Sequence, residues 1–222
     1  MPHAILVTDF DGTLARQDFY QLVRDQLMPP GTPDFYHEYR TGQMTHFECL
    51  AAYFSTIATS EERVLELIQQ MELEPRLPEL LPLLSAHGWE VVVASAGCAW
   101  YIEKLLTAAG VSLPVHASRG HWVGNGRGLK MELPTDSPFF SPTTGINKSA
   151  VVKHALTRTS IVAFAGDGFT DVPAALLVPP ERRFARHDCA NELRLIGEPF
   201  HPFTRWAEVA ERLLAESNRC GQ

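Results

Sequence analysis

Long apolar runs are missing from this chain of 222 residues. None approaches the roughly 20 consecutive apolar residues that a membrane helix requires, so no membrane-spanning helix and no membrane partner are expected. Cysteine is scarce: Cys49, Cys98, Cys189 and Cys220 lie far apart, form no CxxC pair and have no histidine at zinc spacing. Four free thiols in a reducing compartment are therefore expected, with the cytoplasm as the default location. The N-terminal MPHAILVTDF lacks a basic leader and a long apolar stretch. It reads as the approach to a buried strand and not as a signal peptide. Positive charge is also in deficit, with 19 Lys and Arg against 26 Asp and Glu and a formal net charge of −7. Such a surface repels phosphate backbones, so nucleic acid is not an expected partner. No segment is biased enough to count as low complexity, and no internal repeat is visible.

What is present is an ordinary globular balance, with 45% hydrophobic and 20% charged residues. Three apolar, β-rich runs each end in a polar cluster: Ala4–Thr8 before Asp9-Phe10-Asp11-Gly12-Thr13, Val91–Ala94 before Ser95-Ala96-Gly97, and Ile161–Ala165 before Gly166-Asp167-Gly168. Continuous apolar runs of this length suit strands buried on both faces of a parallel sheet. Helical periodicity lies between them, over Pro78–Ala86, Ala99–Ala109 (stopped by Gly110) and Lys148–Leu156. The alternation predicts an α/β fold, a doubly wound parallel sheet whose ligands bind outside the carboxyl ends of the strands. All three polar clusters fall at those ends.

Residues 16–75 break the alternation. Apolar side chains recur there at helical spacing (Phe19, Leu22, Val23; Phe47, Leu50, Phe54; Val64, Leu65, Ile68) around a Pro29-Pro30-Gly31 loop. This stretch is expected to form a small α-helical cap domain inserted into a core made of residues 1–15 and 76–222. Further on, Val115–Ser118, His121–Val123 and Leu129–Leu133 read as short strands, with a tight turn at Asn125-Gly126-Arg127-Gly128. Pro134–Gly145 reads as a loop and Ala207–Ala215 as an amphipathic surface helix.

Asp9 and Asp11, at i and i+2 after a buried strand, point the same way out of the sheet end. Packed together they repel, and burial raises their pKa values unless a cation intervenes. Magnesium, which takes carboxylate and phosphate oxygens, resolves that conflict. Asp167 and Asp171 supply a second acidic pair at another strand end, although Asp171 also fits a helix cap. Ser95 offers a hydroxyl, the amides of Ala96 and Gly97 offer N–H donors at a helix start, and Lys148 opens a helix with one positive charge. Together these residues could hold a phosphate group and a divalent cation.

In this order, DFDGT, a strand ending in Ser, a Lys and GDGFTD resemble the motifs of the haloacid dehalogenase superfamily over nearly the whole chain. The resemblance implies a HAD-like Rossmannoid core and a Mg2+-dependent phosphatase acting on a small-molecule phosphate ester. Asp9 would be the nucleophile that forms an aspartyl-phosphate, and Asp11 the general acid and base. Ser95 and Lys148 would hold the phosphate. Asp9, Asp167 and the Asp11 carbonyl would bind the metal, with Asp171 a direct or indirect partner.

The insert resembles the cap of the group containing phosphoserine phosphatases and a methionine-salvage phosphatase acting on hydroxy-ketomethylthiopentenyl phosphate. The VHAS strand and the FARHDCANEL segment resemble the latter, whose cysteine-rich loop is absent here. Phosphoserine phosphatases place a Glu after the first motif and an Arg in the cap. The corresponding positions here are Asp18 and Ala52, with Asp18 and Arg40 as possible substrate contacts. A phosphoserine phosphatase-like activity, a phosphomutase sharing Asp9 and Asp11, and a non-catalytic phosphate-binding module are the alternatives. Oligomeric state is open.

Overall fold

The computed structural model describes residues 3–124 and 126–220, with side chains described to residue 217. Asn125 of the expected glycine turn lies outside them. In chain order the elements are β1 (Ala4–Thr8), α1 (Phe19–Leu27), α2 (Phe35–Arg40), α3 (His46–Ser55), α4 (Glu61–Gln69), α5 (Leu77–Ala86), β2 (Trp89–Cys98) and α6 (Ala99–Ala108). There follow β3 (Val115–Trp122), β4 (Leu129–Glu132), β5 (Phe140–Ser141), β6 (Gly145–Ile146), α7 (Lys148–Arg158), β7 (Val162–Gly166) and α8 (Val172–Ala175). The chain closes with β8 (Arg183–Ala185), α9 (His187–Leu195), β9 (His201–Pro202) and α10 (Trp206–Cys220).

The doubly wound sheet expected from the sequence is present. Seven strands lie in the order β4-β3-β2-β1-β7-β8-β9, and all neighbours are parallel except β3 and β4. The apolar run of β1 is continuous because both of its faces are covered. Ala4 and Leu6 join one buried cluster, shared with α5, α6 and α10, while Ile5 and Val7 join a second, shared with α7 and α9. From β1 the chain builds outward first on the β2 side and then on the β7 side. The order therefore reverses at β1, and a crevice opens at the carboxyl ends of β1, β2 and β7.

Side-chain caps start the inserted helices. Asp18 accepts from Tyr20 N, Asp34 from His37 N and Ser60 from Arg63 N, and Thr45 with Glu48 forms a reciprocal box. Phe19, Phe54, Ile57, Leu67 and Ile68 are buried and continuous with the sheet-side cluster, so this segment shares its core with the rest of the chain. The segment leaves and returns through paired backbone: Arg16 N donates to Glu72 O, Gln17 N to Met71 O and Glu74 N to Leu14 O.

Four local expectations need correction. Strand β2 runs to Cys98, past Ala94, because Cys98 still pairs with Ser118 after a register shift. The Ala96 and Gly97 amides therefore sit on extended backbone and not at a helix start. Val115–Trp122 is one strand and not two, since Arg119–Trp122 continue into antiparallel pairing with β4. Within the expected Pro134–Gly145 loop, Phe140–Ser141 pairs with Gly145–Ile146, and the Ser141 hydroxyl accepts the Thr143 and Thr144 amides to set the turn. The C-terminal helix also starts one residue earlier than expected and extends further, and it buries Trp206, Val209 and Leu213. Among the described residues Cys49, Cys98 and Cys189 are free and buried, and no helix is long and apolar enough to cross a membrane.

Candidate active site

Register places the acidic side chains. Thr8 pairs with Val93 on one side and Ala165 on the other, so the residues just beyond (Asp9, Ser95 and Asp167) emerge together at the crevice. Asp9, Asp11, Asp18, Ser95, Ala96, Gly97, Lys148 and Asp167 line one cavity of about 120 Å³. Asp171 and Arg40 do not line it. Asp171 lies directly beneath, fully buried, and Arg40 is an exposed residue whose Cζ sits 4.1 Å from the Phe169 ring centre.

Lys148 is the hub. Its Nζ lies 2.8 Å from Asp9 Oδ1 and 2.6 Å from Asp171 Oδ1, with the lysine only 5% exposed. Burial alone pulls a lysine pKa down, but Asp171 and Asp9 outweigh it and the net shift is upward, so the ammonium is locked on. The other oxygen of Asp171 accepts the amides of Asp167 (3.0 Å) and Gly168 (2.9 Å). Asp171 thus orients the loop and the lysine. It precedes α8 but makes no side-chain cap to that helix.

Asp11 is held by two donors. Phe19 N reaches Oδ1 at 3.1 Å and the Tyr101 hydroxyl reaches Oδ2 at 2.6 Å. Burial pushes the Asp11 pKa up to about 6, with the Tyr101 and Phe19 hydrogen bonds pulling the other way. A carboxyl poised there can give and retrieve a proton near neutrality. Two glycines make the geometry possible. Gly12 has φ +67°, and a Cβ there would collide with the Asp167 carboxylate. A Cβ on Gly97 would collide with the Tyr101 hydroxyl. Ser95, 1% exposed, accepts the Gly97 amide at 3.0 Å and keeps its own proton to donate inward.

The donor set suits a hard divalent cation. Oxygens of Asp9, Asp167 and Asp171 lie within 4.8 Å of one another. Asp9 is pushed well above the usual carboxylate range, first by burial and then by Asp171, with Lys148 only partly opposing. A cation beside Asp9 and Asp167 would remove that penalty, and an all-oxygen set favours magnesium over softer metals. Both Asp171 oxygens take short contacts from Lys148 and two backbone amides. Asp9 gives one oxygen to Lys148, and the contacts to Asp167 from Thr13 (3.3 Å) and His187 (3.5 Å) are longer, so Asp9 and Asp167 are the better placed to ligate it.

Several lining residues were not singled out in the sequence. These are Tyr101 on α6, and Tyr20, Tyr36, Tyr39 and His46 in the helical insert. Asp188 also lines the cavity, and it lies within the FARHDCANEL segment noted above without a role. Asp18 both caps α1 and reaches the cavity.

Residues 6–176 match the haloacid dehalogenase-like hydrolase family, and the chain belongs to that family. Among solved structures, the chain is similar to a haloacid dehalogenase family hydrolase from Salmonella enterica serovar Typhi (TM-score 0.66, 16% identity, covering 91% of this chain and 68% of that one). A phosphoserine phosphatase captured as a phospho-aspartyl intermediate analogue gives a TM-score of 0.65 at 16% identity over 95% and 99%. Cytosolic 5′-nucleotidase IIIB bound to cytidine gives 0.60 at 16% over 98% and 86%. At such identities these likenesses establish a shared fold. No significant match was found among curated proteins.

Proposed function

We propose that this hydrolase is a phosphatase that cleaves a small phosphorylated metabolite through an aspartyl-phosphate on Asp9. One observation carries the reading: Asp9, at the apex of β1, has Lys148 on one oxygen and shares a cavity with Asp11, whose pKa suits proton transfer. In the first step an Asp9 oxygen bonds to phosphorus, the ester P–O bond breaks, and protonated Asp11 gives its proton to the departing alkoxide. In the second, ionised Asp11 takes a proton from water as that oxygen bonds to phosphorus, releasing inorganic phosphate and restoring the Asp9 carboxylate. Lys148 and the Ser95 hydroxyl hold the non-bridging oxygens. Bound magnesium, on Asp9 and Asp167, would neutralise charge on the transferring group. Residues 16–75 would act as the cap over this site, and a cavity of about 120 Å³ favours a small alcohol.

The test is phosphate release from a panel of phosphorylated metabolites with magnesium and without any bisphosphate activator. Chelation with EDTA is expected to reduce release to background, and magnesium to restore it. Undiminished release in EDTA would remove the metal from the account. An absolute need for a bisphosphate activator would favour phosphoryl transfer between hydroxyls.

The proton-transfer role predicts a pH signature. The Tyr101 hydrogen bond stabilises ionised Asp11, so Tyr101→Phe raises the Asp11 pKa. Because the first step needs protonated Asp11, kcat/KM falls as pH rises through that pKa. This alkaline limb is expected to move to higher pH in Tyr101→Phe, and an unmoved limb would separate Asp11 from it.

A further inference from the structure

The cavity beyond the catalytic residues has an unusual charge make-up. Its one charged basic side chain is Lys148, already paired to Asp9 and Asp171. His46, the other basic group in the lining, is driven down to about 4 by burial and then by Lys148, so its imidazole is neutral. Two further carboxylates in the lining, Asp18 and Asp188, have no Lys or Arg within ion-pair distance among the described residues, and Asp18 accepts the Tyr20 amide. They come from different elements, Asp18 from the start of α1 and Asp188 from the first turn of α9.

The same lining carries an aromatic wall. Tyr20 and Tyr36 stack at 5.6 Å, and Tyr36 and Tyr39 meet edge to face at 5.9 Å. Tyr20, Tyr36 and Tyr39 line the cavity together with Asp18 and Asp188. Such a lining favours a cation over a second anion, through carboxylates that have no basic partner and through electron-rich rings.

We infer that the preferred substrate is a phosphomonoester whose alcohol carries an ammonium group and no carboxylate, seated with that ammonium between Asp18 and Asp188 against Tyr36. The inference rests on the phosphatase reading above and specifies its substrate class. Arg40, the candidate for a substrate carboxylate, is stacked on the lining residue Phe169 and is not itself part of the lining.

The test compares kcat/KM for phosphoethanolamine and phosphocholine with that for glycerol 3-phosphate, a neutral alcohol of similar size, and for phosphoserine, which adds a carboxylate. Para-nitrophenyl phosphate serves as a generic ester. Preference for at least one ammonium ester over both competitors is expected to be about tenfold or more, in keeping with a desolvated cation held by carboxylates and aromatic rings. In Asp188→Asn and Asp18→Asn the ratio of the ammonium ester to glycerol 3-phosphate is expected to collapse toward one, a readout independent of the fraction of enzyme folded. If phosphate is released but glycerol 3-phosphate or phosphoserine is cleaved as well as the ammonium esters, the substrate class is overturned and the phosphatase reading stands. If no ester, including the generic one, is cleaved, the phosphatase reading fails and takes this inference with it.

Discussion

Replacing Asp9 by Asn is expected to abolish phosphate release, with a loss of about 10⁴-fold or more, while leaving the fold intact. The amide is nearly isosteric, so the backbone bond from Asp9 N to Ala165 O and the strand register survive. What vanishes is the nucleophile, because a neutral amide oxygen does not displace an alkoxide from phosphorus at a useful rate. Stability could even rise, since Asp9 is a buried acid whose charged form is penalised by burial and by Asp171. Turnover of the panel and a urea titration, run on the same preparation, measure both halves. A variant with wild-type turnover would mean that another group attacks phosphorus.

Lys148→Met has the second large effect, and it falls on stability as well as rate. Removing the ammonium leaves Asp9 and Asp171 facing each other without compensation in a site where Lys148 is 4% and Asp171 0% exposed at the side chain. Breaking such a buried pair from one side costs roughly 3–5 kcal/mol. Urea denaturation of metal-free protein should register that loss. The double variant Lys148→Met/Asp171→Asn should recover much of it, because one uncompensated charge has been removed. Activity should not return with stability, since the phosphate has still lost a charge-assisted partner. A single variant as stable as the parent protein would show that Lys148 does not neutralise the two carboxylates.

The fold was legible where local chemistry and global position agree. Runs such as Ala4–Thr8 are apolar at every position, which only a strand covered on both faces tolerates, and the polar residues that stop them mark the crevice. Lys148 announced itself as the start of a helix, and Asn147 proves to be its cap. The Ser95–Cys98 extension was hidden because Ser, Ala and Gly have little strand preference of their own. There, pairing with β3 overrides propensity.

The division of labour among the carboxylates was hidden for another reason. Sequence places Asp167 and Asp171 in one motif, but only three dimensions show that Asp171 spends both oxygens on Lys148 and two amides. Tyr101 was illegible because an aromatic on an amphipathic helix is nearly always core. Its ring is indeed buried against Phe19, and only the hydroxyl reaches Asp11. Asp188 was missed because nothing local separates it from any acid in a first helical turn.

The most direct measurement is to quench the reaction during steady turnover with a radiolabelled phosphate ester and map the label by peptide. An acid-stable, hydroxylamine-labile phosphoryl group on Asp9, absent from Asp9→Asn, is the predicted result. Rapid phosphate release with label on another side chain, or with no covalent label at any quench time, would contradict the assignment of Asp9 as the attacking group.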